Sequence, residues 1–223
     1  MSGVAARLAS IRERIARAGR DPDEITIVAV TKGFGVEACR EAMGAGLRIL
    51  GENRVQEALG KMELVSAARA EGGLPAVEWH LIGHLQTNKV KQAAGRFALI
   101  QTVDSLHLAQ AIATREPGRP VLVEVNIARE PQRSGAAPEK ALDLVAAVST
   151  LLEVRGLMAM GPGHGDPAPA FDELRRLRDE GRERTGRPLP ILSMGMSGDF
   201  EAALAAGSTM LRLGQALFGP RPT

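Results

Sequence analysis

A lysine that closely follows an apolar segment is a candidate for covalent chemistry. The segment Ile25–Val30 is mostly β-branched and almost wholly apolar, which predicts a strand buried on both faces of a parallel sheet. Lys32 comes two residues after this segment, and Gly33 comes directly after Lys32. An amine at the end of such a strand loses its proton more easily than a solvated amine, and the free amine attacks aldehydes. The alternative is that Lys32 is a solvated residue at the start of a loop.

The elements that would position Lys32 repeat along the chain. An N-terminal helix from about Val4 to Ala18 is followed by eight apolar strands, each succeeded by a helix. Strands that alternate with helices pair in parallel, and eight such units predict one α/β domain over residues 1–223, a closed (β/α)8 TIM barrel. An open doubly wound sheet is the alternative. The predicted strands are Ile25–Val30, Arg48–Gly51, Val77–Ile82, Ala98–Val103, Pro120–Asn126, Val154–Met160, Leu189–Met194 and Met210–Leu213.

In a barrel of this kind the functional residues lie at the carboxyl ends of the strands. Their placement at this one edge, rather than their residue types alone, makes the following side chains candidates. They are Lys32, Asn53, His80, Asn126, Met160, Met194 and Arg212.

The loops after strands seven and eight are where barrels of this type commonly bind phosphate. Here they span residues 193–199 and 211–215. Ser197 is a suitable N-cap for the helix that follows, and Gly198 and Gly214 let an anion approach the exposed N–H groups closely. Ordinary capping and turn glycines would explain either loop by itself. The two loops together predict a phosphate site.

Arg212 lies on the last predicted strand, where a guanidinium is costly to bury unless other groups accept its hydrogen bonds. It is either paired with a carboxylate such as Glu124 or placed to contact a ligand's ring nitrogen or phosphate. Asp199 opposes an anion in this region if its side chain points inward. An amine at Lys32, a phosphate site and an arginine on one face match the needs of pyridoxal 5′-phosphate (PLP), whose aldehyde forms a Schiff base with lysine.

Several segments of the chain carry long and specific motifs. They are Ala29–Gly33, Gly51–Glu57, Trp79–Lys89, Val125–Ile127, Gly156–Met160, Ser193–Asp199, Arg212–Gly214 and Phe218–Gly219. Together they resemble the YggS/PROSC family of pyridoxal phosphate homeostasis proteins, over a range from about Ala5 to Gly219.

The resemblance implies a vitamin B6 protein built from one PLP-binding barrel, like the barrel domain of alanine racemase with an added N-terminal helix. It implies that Lys32 holds the cofactor as a Schiff base, that Arg212 faces the pyridine nitrogen and that Asn53 lines the pocket. The phosphate would be held by Ser197, Gly214 and Gln215. Family members are thought to buffer or deliver PLP without established turnover, which makes apo forms of PLP-dependent enzymes candidate partners.

The sequence departs from the family pattern at two positions. Gln215 stands where a threonine is expected, which removes one hydroxyl from the phosphate site. Arg133 precedes Ser134 and Gly135 where a lysine is common, which weakens any role for an amine in that loop.

Two features favour a carrier of PLP over a catalyst. A racemase of this type needs a second base opposite the lysine, usually a tyrosine, and the chain contains none. An arginine beside the pyridine nitrogen also weakens the ring as an electron sink. His80 or His164 is the alternative second base. For His80, an equally simple explanation is that its ring packs beside Trp79. The competing hypotheses are a PLP-dependent amino-acid racemase or isomerase, and a barrel that uses Lys32 in aldolase-type chemistry without a cofactor.

Composition narrows the remaining possibilities. Aromatic residues make up only 3% of the chain and the net charge is +2, so little is available to stack bases or track phosphates, and we expect no nucleic-acid partner. No apolar run approaches the length of a membrane span. His80 and His84 lack a nearby acid to complete a ligand set, so we expect no metal. The single cysteine, Cys39, is expected to be a buried filler and fits a reducing compartment. We expect a cytoplasmic protein, and we expect it to be a monomer.

Overall fold

The computed structural model describes residues 3–72 and 75–221 of the chain, and in this part eight parallel strands close into a barrel in sequence order. The predicted (β/α)8 barrel is therefore confirmed, and the open sheet is wrong. Closure comes from pairing of the first and last strands, in which Thr26 lies opposite Met210 and Val28 opposite Arg212. The strands are β1 (Thr26–Val30), β2 (Ile49–Glu52), β3 (Glu78–Leu81), β4 (Leu99–Val103), β5 (Pro120–Glu124), β6 (Glu153–Met158), β7 (Ile191–Ser193) and β8 (Met210–Leu213).

The helices surround the barrel, and the N-terminal helix lies within one residue of its predicted bounds. The Ser105 hydroxyl accepts the Leu108 N–H and caps the helix after β4. The short helix after β3 begins as a 3-10 turn at Thr87–Lys89. The helices are α1 (Gly3–Arg17), α2 (Val36–Gly44), α3 (Val55–Gly72), α4 (Val90–Ala93), α5 (Leu106–Ala113), α6 (Pro138–Val148), α7 (Ala168–Thr185), α8 (Phe200–Ala205) and α9 (Gln215–Phe218).

The N-terminal helix α1 packs against the outside of the barrel. Ile11 and Ile15 are fully buried at helical spacing, so this face of α1 is part of the hydrophobic core. The Arg14 guanidinium lies 4.2 Å from the centre of the Phe200 ring on α8. Arg7 donates to the Leu217 carbonyl oxygen at 3.3 Å, which joins α1 to α9. The first and last helices are thus in direct contact.

The interior of the barrel has an apolar floor and a polar middle. Val28, Leu99, Leu122, Met158 and Met210 pack together at the floor. Buried polar side chains lie on the barrel strands, and the hydrogen bond from Ser193 on β7 to Gln101 on the non-adjacent strand β4 shows that these two side chains face inward. The polar set is His80, Gln101, Glu124, Ser193 and Arg212.

The β6 and β7 backbones lie close together at Gly156. Gly156 has φ +152°, and a Cβ atom at this position would lie 1.9 Å from the Ile191 carbonyl oxygen. The pairing of β5 with β6 also shifts register between Val121 and Leu122. Only glycine fits at position 156.

Among the described residues, no helix has both the length and the apolar character needed to cross a membrane.

Candidate functional site

A cavity of about 320 Å³ opens at the carboxyl ends of the strands and brings five of the six predicted cofactor-binding residues together. They reach it from opposite ends of the sequence, because β1 and β8 are paired neighbours. The five are Lys32, Ser197, Arg212, Gly214 and Gln215. We call this cavity the cleft.

Lys32 lies half-buried in the cleft, two residues beyond the end of β1. Burial lowers the pKa of its amine, and the positive charges of Arg221 and Arg212 lower it further. The carboxylates of Glu52 and Glu57 oppose this shift. The net lowering favours the unprotonated amine, the form that attacks an aldehyde. The Lys32 side chain is therefore partly buried at the cleft and not fully solvated.

Arg212 is buried, with 4% of its surface exposed, and it makes three hydrogen bonds to neutral groups. Nη1 donates to the Ser193 carbonyl at 2.7 Å and to the Ser193 hydroxyl at 2.8 Å, and Nη2 donates to the Ala159 carbonyl at 2.8 Å. Burial lowers the pKa of Arg212 to about 10, against the attraction of Glu124 and Asp199. These contacts hold a rigid cation at the cleft.

The expected alternative, an ion pair between Arg212 and Glu124, does not form among the described residues. Glu124 instead accepts the Ser134 hydroxyl at 2.9 Å, and its other oxygen is buried without a partner in the structure. Burial raises the pKa of Glu124. Arg212 is therefore held by its hydrogen bonds to Ser193 and Ala159. Its interaction with Glu124 is electrostatic attraction without a hydrogen bond.

A line of hydrogen bonds runs from Arg212 across the barrel interior to His80. The Ser193 hydroxyl lies 2.7 Å from the Gln101 amide oxygen, and the Gln101 amide nitrogen lies 3.0 Å from His80 Nδ1. Burial lowers the pKa of His80 to about 4. The neutral imidazole lies inside the barrel while the neighbouring Trp79 belongs to the outer core, since successive strand residues face opposite sides. The expectation that the two rings pack side by side is wrong.

Ser197 caps a different helix from the one predicted. Its hydroxyl accepts the Ala216 N–H at 3.0 Å, in the first turn of α9, whereas the cap position of α8 is Asp199, which makes no side-chain capping bond. The Asp199 carboxylate accepts the Met196 N–H at 2.6 Å and so stabilises its own loop. Ser197 thereby joins the two loops that were predicted to bind phosphate.

Asn53 is the one predicted cofactor-binding residue not found among the described residues that line the cleft. Its backbone packs so tightly on Gly83 that a Cβ atom at Gly83 would lie 2.3 Å from the Asn53 carbonyl oxygen. Asn126 also has a local partner, since its amide donates to the Glu130 carbonyl at 2.8 Å. Arg133 donates to the Gly161 carbonyl and pairs with Glu130, so it holds this loop.

Other residues of the cleft were not predicted. Arg221, near the C-terminus, lines it; Pro222 and Thr223 lie outside the described residues. Met160 was predicted, and Met196 adds a second thioether to the wall. Nothing in the spacing of a C-terminal arginine indicates that it returns to β1, so no sequence signal could have found Arg221.

No group of three or more potential metal ligands occurs among the described residues. His84 Nδ1 lies 3.2 Å from the Asp104 carboxylate, while His80 is enclosed in the barrel. The two histidines therefore have separate partners. Cys39 is buried, as predicted, and burial raises the pKa of its thiol to about 11, so the thiol stays protonated.

The fold and the cleft define a class of protein, a parallel barrel of the alanine racemase type. The sequence profile of the family described as "Alanine racemase, N-terminal domain" matches residues 6–222.

Full-length relatives define the family more closely. Two proteins named pyridoxal phosphate homeostasis protein are similar along their lengths: that of Pseudomonas aeruginosa is 41% identical over 224 residues (98% of this chain, 94% of the relative), and that of Escherichia coli (strain K12) is 38% identical over 233 residues (99% and 98%). PipY of Synechococcus elongatus PCC7942, solved with PLP bound, superposes with a TM-score of 0.84 at 33% identity and covers 97% of this chain and 100% of its own. The chain belongs to the family of pyridoxal phosphate homeostasis proteins, and the resemblance predicted from its motifs is confirmed.

Proposed function

We propose that this protein binds PLP reversibly and covalently at Lys32 and serves PLP homeostasis by buffering or delivering the cofactor. The observation that carries the proposal is the shared cleft, in which an amine with a lowered pKa lies beside a buried arginine and two glycine-containing loops. When bound, PLP supplies an aldehyde that forms a Schiff base with a lysine amine. The relatives' names and the PLP-bound PipY structure support the same choice of cofactor.

The residues of the cleft fit the anionic end of PLP. A hydroxyl that accepts a hydrogen bond, as that of Ser197 does from Ala216, still has its own proton to donate to a phosphate oxygen. Gly214 and Gln215 line the cleft at the start of α9, and Arg221 adds a positive charge. Gln215 contributes its N–H and amide in place of a hydroxyl. We assign the phosphate to this side of the cleft.

The other end of the ligand would meet Arg212. Its fixed positive charge, held by the Ser193 and Ala159 carbonyls, disfavours protonation of a pyridine nitrogen placed beside it. A pyridine ring that lacks this proton is a weaker electron sink for the bonds at the end of the cofactor that faces Lys32. This arrangement favours holding the cofactor over using it.

The absence of a suitable second base supports a carrier. The sequence contains no tyrosine, and His80 is enclosed in the barrel with Gln101 as its partner. His164 lies on an exposed part of the loop after β6. We further propose that the chain is one domain, that it acts as a monomer in the cytoplasm, and that apo forms of PLP-dependent enzymes receive its cofactor.

Borohydride reduction followed by peptide mapping tests the proposal. Protein mixed with PLP and reduced should carry one pyridoxyl group on the peptide that contains Lys32. The Lys32→Ala variant should lose both this adduct and the yellow colour, whereas Lys91→Ala, which removes an exposed lysine, should keep both. An adduct on another lysine, or none in the wild type, would contradict the proposal.

Deuterium exchange separates a carrier from an isomerase. Amino acids added to the PLP-loaded protein in D2O should keep their α-hydrogen over many hours. Steady exchange by the wild type that disappears in Lys32→Ala would show catalytic turnover, and the racemase or isomerase hypothesis would then replace the carrier.

A further inference from the structure

A buried lysine that is not part of the cleft lies directly behind Lys32. Lys61, on α3, is only 8% exposed, and its Nζ has three acceptors. These are the Thr31 carbonyl at 2.7 Å, Glu52 Oε1 at 2.6 Å and Glu57 Oε1 at 2.8 Å. An ammonium group has three N–H donors, so this geometry satisfies all of them.

The same two carboxylates also bind the residues on either side of Lys32. Glu52 Oε1 accepts the Thr31 hydroxyl at 2.5 Å, and Glu57 Oε1 accepts the Gly33 N–H at 2.8 Å. The residue before Lys32 is therefore held at its carbonyl and its hydroxyl, and the residue after it at its N–H. Gly33 has φ +73°, so the turn that these bonds fix is one that few other residues adopt.

The charges of Lys61, Glu52 and Glu57 also influence the Lys32 amine. Glu52 and Glu57 are the carboxylates that raise the Lys32 pKa, while burial, Arg221 and Arg212 lower it. Burial by itself would lower the pKa of Lys61, but hydrogen bonds to Glu52 and Glu57 outweigh burial and raise it. Lys61 therefore stays a cation and partly neutralises the two carboxylates that act on Lys32.

We propose that Lys61, Glu52 and Glu57 form a positioning cluster that fixes the backbone around Lys32 and tunes the reactivity of its amine. The inference rests on the proposed function only in taking Lys32 as the residue that meets the aldehyde. Glu57 is the member that can be tested with least damage, because its carboxylate is partly exposed whereas Glu52 is fully buried.

Two substitutions at Glu57 separate its charge from its hydrogen bond. Glu57→Gln keeps an acceptor for the Gly33 N–H and loses the charge, whereas Glu57→Ala loses both. Competitive labelling of the apo-protein with acetic anhydride across a pH range, followed by peptide mapping, gives the titration midpoint of Lys32 without any cofactor. Both variants should lower this midpoint by about 0.5 to 1 unit. Glu63→Gln, an exposed change on the same helix, should leave it unchanged.

Amide hydrogen exchange at Gly33 reports the backbone contact. Protection should fall at least tenfold in Glu57→Ala and stay near the wild-type value in Glu57→Gln. For Lys61, the rate of PLP adduct formation should fall several-fold in Lys61→Met and recover in Lys61→Arg, which keeps the charge and the donors. Lys91→Met is the matched control. If Lys61→Met does not fold, the Glu57 series decides the question.

An unshifted Lys32 midpoint in Glu57→Gln together with unchanged Gly33 exchange in Glu57→Ala would overturn the positioning cluster. That result is distinguishable from failure of the proposed function. A wild-type protein that takes up no PLP overturns the function while the labelling experiment still tests the cluster, and a normal adduct with no response to Glu57 overturns the cluster alone.

Discussion

At the scale of single residues, the site depends on how buried charges are compensated. The strand ends gave enough information to select Lys32 and Arg212, because parallel strands bring their carboxyl ends to one edge. Their partners could not be predicted. Arg212 uses the carbonyls of Ser193 and Ala159, which carry no side-chain signal.

Lys61 was missed for a related reason. Four residues after Glu57 on a helix, it has the spacing of an exposed ion pair, and its burial behind β2 depends on the tertiary packing of α3. Sequence reasoning could have paired it with Glu57 but not with the Thr31 carbonyl.

His80 gives the molecule a pH-dependent stability with a defined sign. Its pKa is lowered to about 4 by burial, against an ordinary value of 6.5, so between these values the unfolded chain binds a proton that the folded chain does not. Stability is therefore full above about pH 6.5 and is lost as the pH falls, by about 3 kcal/mol at pH 4. Urea unfolding at several pH values gives the difference in the free energy of unfolding between the wild type and His80→Asn. As the pH falls from about 6.5 to 4, this difference should shrink by about 3 kcal/mol.

The comparison with His80→Asn is needed because buried carboxyls act in the opposite sense. Burial raises the pKa of Glu52 and Glu124, so the folded chain binds protons first and these groups add stability as the pH falls. Both are present in wild type and variant and cancel in the difference. Parallel curves for His80→Asn would show that His80 is not held neutral.

At the scale of elements, the informative case is the pair of short helices α8 and α9. The sequence places Ser197 just before α8, where it has the expected spacing of a local cap. The structure assigns it to α9, a neighbour in space and not in sequence, because β7 and β8 are adjacent in the barrel. Capping rules describe local contacts and could not foresee this one.

Ser197→Ala should affect both the fold and the ligand. Loss of the bond to the Ala216 N–H should lower the free energy of unfolding by about 1 kcal/mol. If the hydroxyl also contacts phosphate, the variant should bind PLP several-fold more weakly while its affinity for pyridoxal, which lacks the phosphate, stays the same. Ser66→Ala, on the exposed face of α3, is the control for both measurements. Equal weakening for PLP and pyridoxal would remove Ser197 from the phosphate site.

At the scale of the whole molecule, the barrel was predictable because each of the eight strands is an apolar segment followed by a helix. The close contacts that allow the barrel to close were not. Gly156 lies within a predicted strand, and only the structure shows that the β7 backbone occupies the place of its side chain. The return of Arg221 to the cleft likewise depends on where α9 ends, a property of the complete fold.

Gly156→Ala should prevent normal closure. A Cβ atom 1.9 Å from a carbonyl oxygen forces β6 and β7 apart, and we expect a loss of at least about 3 kcal/mol in thermal or urea unfolding. Gly60→Ala provides a control of opposite sign. Gly60 lies on the exposed side of α3, and a Cβ atom added there would have no neighbour within 4 Å. Alanine should therefore stabilise the helix by about 0.5 to 1 kcal/mol. A Gly156→Ala protein as stable as the wild type would contradict the observed approach of the two strands.

The pairing of β1 with β8 has a consequence for biosynthesis. Lys32 leaves the ribosome early, whereas Arg212, Gly214 and Gln215 emerge only after most of the chain has been made. A nascent chain that lacks β8 can offer the Lys32 amine but neither Arg212 nor the turn at Gly214 beside it. If the cofactor is held as proposed, we expect stable loading only in chains whose translation has passed β8.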